Sequence, residues 1–176
     1  MNLSEQVFLN LLALDSYCKG YSTSNSGFPT GFPTGGIGYA NFYIQSEITP
    51  GSPAFAEGFY AAAYTIDGVT VISYRGTDTG GEFVATDFPI SAGAWEDEST
   101  LLAMQFYNSV AAATDNPILL TGHSLGGGLA GFVASLTNRP AMLVDHMGFT
   151  TARARRRRGR AAFRPRPATT LRARSV

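Results

Sequence analysis

Apolar residues in this chain recur at two spacings, one helical and one strand-like. Val7, Phe8, Leu11, Leu12 and Leu14 fall at helical intervals and predict an amphipathic helix over 2–17. Asn2 can cap that helix and Glu5 can reach back to it, as in a capping box. Residues 58–66 and 69–75 are apolar and aromatic, and they flank Asp67-Gly68. That dipeptide tolerates the positive φ of a type I′ turn, so the stretch predicts a β-hairpin. Leu102, Phe106 and Val110 form one stripe of a second helix over 98–113, with Glu96, Asp97 and Glu98 at its positive end. Residues 117–121 make a short apolar run with the character of a buried strand, followed by a helix from about 125 to 137 and a strand over 141–145. Strand, turn, helix and strand in that order form a βαβ unit, which requires a parallel pair.

Two stretches break the periodicity. Residues 20–40 are rich in Gly, Ser, Thr, Pro and aromatics, with Gly-Phe-Pro-Thr occurring at 27–30 and again at 31–34. Such clusters read as surface loop, and an aromatic rim or lid over an apolar substrate is the sharper alternative. Two copies are too few for a solenoid. Residues 76–97 also read as loop.

Composition narrows the classes. At 176 residues the chain holds one domain with a core, and no apolar run approaches the roughly 18 residues that span a bilayer. Met1-Asn2-Leu3-Ser4-Glu5-Gln6 has no basic segment, which argues against a cleaved secretory signal and points to the cytoplasm or to a signal-peptide-independent export route. Cys18 is the only cysteine, so neither an internal disulfide nor a thiolate metal cluster is expected, and no metal or other cofactor is called for. Net charge is zero but unevenly distributed. All 13 acids lie within 1–150 against Lys19, Arg75 and Arg139, giving that stretch a charge of −10; residues 151–176 carry ten arginines and no acid, giving +10.

The candidate chemistry centres on Gly122-His123-Ser124-Leu125-Gly126. A serine hydroxyl is a poor nucleophile until a neighbouring base accepts its proton. Gly-x-Ser-x-Gly between an apolar strand and a helix puts the serine at a sharp corner with Oγ exposed. The helix that follows offers backbone N–H groups to a developing oxyanion, Leu125 first. The bland alternative is a glycine-rich turn with an idle serine. His123 is directed away from its neighbour's Oγ and reads as a packing residue. Arg75 reads as a structural arginine paired with an acid, with a substrate clamp as the alternative.

Thr121-Gly122-His123-Ser124-Leu125-Gly126-Gly127-Gly128-Leu129-Ala130 resembles the nucleophile elbow of the class 3 (fungal-type) lipases, which are α/β-hydrolases. Val71-Ile72-Ser73-Tyr74-Arg75-Gly76-Thr77 resembles that family's strand ending in Arg-Gly-Thr or Arg-Gly-Ser. The resemblance covers about 55–146. It implies a partial α/β-hydrolase sheet flanked by helices, hydrolysis of small-molecule or lipid carboxylic esters, Ser124 as nucleophile, and an oxyanion hole formed by Thr77 and Leu125. The usual Trp-rich segment after Arg-Gly-Thr is replaced by Glu82-Phe83-Val84-Ala85-Thr86-Asp87-Phe88.

The rest of the triad is harder to place. Asp145 and His146 are the only carboxylate and histidine after Ser124. Strand neighbours point to opposite faces, so the two are weak candidates for acid and base, and the resemblance puts both roles farther downstream. A lipase-like domain over 1–148 followed by a basic disordered tail over 149–176 is therefore expected. The tail reads either as a genuine arginine arm or as the product of a reading-frame change, which would also account for the missing half of the triad. Competing functions are a non-catalytic hydrolase remnant, a nucleic-acid or membrane binder acting through the tail, and a dinucleotide site. The tail would bind phosphate non-specifically, and no specific nucleic-acid motif accompanies it. Gly126-x-Gly128-x-x-Gly131 with Asp145 matches the dinucleotide fingerprint, but Gly-His-Ser-Leu intervenes between strand and first glycine. Nothing in the sequence sets an oligomeric state.

Overall fold

The computed structural model describes residues 3–19, 36–47, 49–76, 98–146 and 148. In chain order these form α1 (Leu3–Asp15) with a one-turn 3₁₀ extension (Ser16–Cys18), β1 (Gly36–Ile37), β2 (Ala40–Gln45), α2 (Pro53–Ala56), β3 (Ala61–Ile66), β4 (Val69–Tyr74), α3 (Glu98–Ala113), β5 (Ile118–His123), α4 (Leu125–Thr137) and β6 (Ala141–Val144). The chain is thus an α/β fold, a mixed six-stranded sheet flanked by helices. The arginine-rich stretch from 149 onward, expected to be disordered, lies outside the described residues.

The six strands lie side by side in sequence order. β1 to β4 are antiparallel; β4–β5 and β5–β6 are parallel. The change of direction follows from the connections. Asp67 and Gly68, at φ 46° and 75°, turn β3 into β4 within two residues. The longer β4–β5 and β5–β6 connections carry α3 and α4, as parallel pairs require. Consequently β2, β4, β5 and β6 all end on one edge of the sheet.

Strand alternation divides the core in two. Ala61, Ala63, Ile72, Tyr74, Ile118 and Leu120 face α3 and α4. Tyr60, Ala62, Tyr64 and Val71 face Leu9 and Leu12 of α1. The predicted α3 stripe, Leu102, Phe106 and Val110, is buried. The α1 stripe holds in part: Leu12 is buried against the sheet with Phe8 and Leu11 packed beside it and Leu9 added to them, whereas Val7 is 50% exposed.

Polar bonds fasten α1 as well. Ser73 Oγ donates to Leu12 O at 3.0 Å. Asp15 is fully buried; its Oδ2 accepts from Tyr64 Oη at 2.6 Å and pairs with Lys19 Nζ at 2.9 Å. Burial, reinforced by the Asp15 charge, pushes the Tyr64 phenol well above its ordinary pKa.

The main departure from the sequence reading is at β1 and β2. Residues 36–40 fall in the predicted loop, and 41–45 belong to no predicted element although Phe42, Tyr43 and Ile44 are residue types that favour strands, yet both join the sheet. Ala40 and Phe42 pack on the α1 side while Ile44 packs on the α3 side. Residues two apart should share a face, and a bulge between Phe42 and Ile44 breaks that rule.

Candidate active site

Ser124 stands between β5 and α4 at φ 54°, ψ −124°, outside the regions open to ordinary L-residues. β5 runs two residues past the predicted end, through His123, so no loop separates strand from serine. Ser124 N–H donates to Val144 O at 3.1 Å, tying the corner to the end of β6. Gly128 N–H donates to Ser124 O at 3.0 Å and starts the helix.

The flanking glycines are needed for close approach. A Cβ on Gly122 would strike Gly126 C and O and lie 2.8 Å from Gly127 N. One on Gly126 would strike Tyr74 O and lie 2.7 Å from Arg75 C. Backbone therefore packs on backbone where the helix leaves the sheet, and Ser124 stays at the sheet edge, partly exposed. Gly126, Gly128 and Gly131, the dinucleotide-like pattern, all lie inside α4 rather than in the turn before it.

The Arg75-Gly76 end of β4 abuts this corner, with Tyr74 paired to Gly122. A Cβ on Gly76 would come within 2.7 Å of His123 O. The residue before Thr77 thus lies against the residue before Ser124. Thr77 itself is outside the described residues. Leu125 is the first residue of α4 and is buried. Arg75 is buried too; its Nη2 donates to Gly58 O at 2.9 Å and its guanidinium lies over the Tyr60 ring at 5.6 Å.

Asp145 and His146 are exposed and follow β6 directly. The argument from strand alternation does not apply to them, because β6 ends at Val144 and Asp145 adopts a left-handed φ of 42°. The reversal brings the His146 backbone over the first turn of α4. A Cβ on Gly127 would lie 2.7 Å from His146 Cβ and 3.1 Å from its Cα.

One neighbour of the corner has no sequence signal. Tyr17, in the 3₁₀ turn after α1, brings Oη within 3.0 Å of His123 Nδ1 and 3.4 Å of His123 O. His123 is therefore hydrogen-bonded as well as packed. Nothing local marks Tyr17, which lies 106 residues from its partner.

A groove of about 410 Å³ opens between β2, α2 and α3, lined by Ile44, Ala54, Phe59, Leu102 and Phe106 among others. Its β2 wall ends on the same edge of the sheet as β5. Gln45 pairs with Ala62, Ala62 with Ser73 and Ser73 with Thr121, so Gln45 of the groove wall lies three strand spacings, about 14 Å, across the sheet from Thr121, three residues before Ser124.

Residues 44–176 match the family described as the Tle-like phospholipase domain, a phospholipase-like family. No curated protein matches the sequence. Among solved structures the chain is similar to the native Rhizomucor miehei lipase propeptide complex, with 13% identity and a TM-score of 0.42 over 76% of this chain and 46% of that one. The chain spans less than half the length of that lipase. The family match takes in well over half of the chain, which belongs to the Tle-like phospholipase domain family.

Proposed function

We propose that this chain carries the nucleophile of a lipase-like carboxylic-ester hydrolase acting on acyl lipids. The observation behind this is the backbone of Ser124, an L-residue held at positive φ between a buried strand and a helix N-terminus. Backbone strain of this kind costs stability, on the order of 1–3 kcal/mol, and clusters at reacting positions. Ser124 Oγ attacks the ester carbonyl, and the oxyanion that forms is met by the N–H of Leu125, with Thr77 as the second donor. The finer likeness to class 3 lipases rests on the elbow together with Arg75-Gly76-Thr77. The groove beside Phe59 and Leu102 suits the hydrocarbon part of such a substrate.

His146 is the base that the sequence offers, standing over the helix turn that begins at Ser124, with Asp145 next to it. Both are exposed, and a carboxylate adjacent in sequence is poorly placed to orient the imidazole. Turnover is therefore slow, nearer to what a serine hydrolase keeps after losing a triad member, roughly 10³–10⁴-fold over water. The test is hydrolysis of short-chain and medium-chain chromogenic esters, together with fluorophosphonate labelling located by peptide mass. Slow, Ser124-dependent hydrolysis and a label on Ser124 are expected, both lost in Ser124→Ala. Equal rates in the two proteins with no label on Ser124 would exclude the nucleophile role. An unchanged rate in His146→Ala removes His146 as base while leaving Ser124 in place.

A further inference from the structure

We propose that Tyr17 is a positioning residue for the elbow: its hydroxyl, packed against Gly76 at the end of β4, is bonded to the residue before Ser124. The proposal rests on the hydrolase reading for its effect on reactivity, but its geometry stands independently. Tyr17 is 6% exposed, and phenylalanine would fill the same space. A buried phenol keeps its hydroxyl where a partner meets it. Here the partner is His123, through ring Nδ1 at 3.0 Å and carbonyl O at 3.4 Å.

The same hydroxyl also lies against residue 76, a glycine. A Cβ there would strike Tyr17 Oη and would also lie 2.7 Å from His123 O. Tyr17 Oη, Gly76 and the His123 carbonyl therefore share one close contact between neighbouring parallel strands. The phenol is delivered from a rigid base. Asp15, two residues before it, is held by Tyr64 of β3, and Lys19, two residues after it, closes on Asp15. Helix α1 thus acts across the sheet on the corner, although it contributes no group to the reacting atoms. When the hydroxyl is removed, the residue before Ser124 loses its bond to the turn after α1, and Gly76 loses the polar group packed against it. The Leu125 N–H then meets a developing oxyanion in a less fixed position.

The test compares Tyr17→Phe with the parent by two readouts. The first is amide hydrogen exchange at Arg75, whose N–H donates to Tyr60 O, and at Ser124, whose N–H donates to Val144 O. These are hydrogen-bonded amides at the two turns, and both are expected to exchange about tenfold faster, the scale set by one hydrogen bond. Amides within α4, such as Leu129 and Phe132, should be unchanged, which separates a local effect from general loosening. The second readout is the maximal rate of Ser124 labelling by a fluorophosphonate, expected to fall about tenfold with little change in the concentration at half-saturation. His123→Phe, which keeps the backbone carbonyl at 3.4 Å, should slow labelling no more than Tyr17→Phe, and the double variant should be no slower than Tyr17→Phe, because the hydroxyl's loss already removes the ring contact. Unchanged exchange at Arg75 and Ser124 overturns the proposal, as does a double variant whose losses simply add. If the parent is never labelled at Ser124, the hydrolase reading fails, and the exchange rates alone decide on Tyr17.

Discussion

Replacing Ser124 by glycine should make this protein more stable, whereas replacing it by alanine should not. At φ 54° and ψ −124° the serine backbone is close to the mirror image of ordinary extended conformation, which glycine adopts freely. For an L-residue the positive φ costs about 1–2 kcal/mol. Glycine removes that cost but gives the unfolded chain more freedom, which offsets about 0.4–1 kcal/mol. The net gain is about 0.8 kcal/mol at the middle of those ranges, worth a rise in Tm of about 2–3 °C for a domain of this size. Alanine has the same Cβ and the same strain, and Ser124 makes no side-chain capping bond that it would lose. Ser124→Ala should therefore unfold within about 0.5 kcal/mol of the parent. Thermal and urea unfolding of the three proteins, followed by circular dichroism, provides the measurement. If Ser124→Gly is no more stable than Ser124→Ala, the corner is not strained and the structural argument for a nucleophile loses its footing.

Three further outcomes follow from the packing. Gly126→Ala should lower stability by about 2 kcal/mol despite the better helix propensity of alanine, because its Cβ meets Tyr74 and Arg75 backbone that cannot move aside; equilibrium unfolding in urea reads this directly. Asp15→Ala should cost about 2–3 kcal/mol, since it removes the acceptor of the buried Tyr64 hydroxyl together with the ion pair to Lys19; a drop below 1 kcal/mol by the same assay would show that the Tyr64 hydroxyl finds another partner. Burial holds the Tyr60, Tyr64 and Tyr74 phenols above their ordinary pKa of 10.0. Their contribution is complete below pH 10 and is lost as pH rises toward the folded values, so unfolding free energy should fall between pH 10 and 11, less steeply in Tyr64→Phe.

The local elements could be read from the sequence because each depends on nearby residues. Asp67-Gly68 specifies its hairpin through backbone conformations that few other dipeptides accept. The α3 stripe specifies its buried face through the helical period. Gly122, Ser124 and Gly126 announce a strand-to-helix corner because only that geometry requires two missing Cβ atoms around a serine. Each of these signals is complete within a few residues.

What the sequence did not determine depends on neighbours far along the chain. β2 has strand-favouring residues but not the two-residue alternation, because its bulge turns Ile44 to the opposite face from Phe42; its register is set by pairing with β3. Val7 belongs to the apolar period of α1 yet faces outward, because Leu12 carbonyl and Asp15 are tied to Ser73 and Tyr64 and fix the rotation of the helix. The αL turn at Asp145, which carries His146 back over α4, is invisible to a rule that assumes the strand continues. Tyr17 gives no local sign of its place beside His123, since two elements 106 residues apart become neighbours only once α1 crosses the sheet. Sequence by itself determined where the chain turns and which local faces are apolar; the tertiary structure decided which distant groups meet at Ser124, because contacts across the sheet are set by strand order and helix rotation rather than by nearby residues.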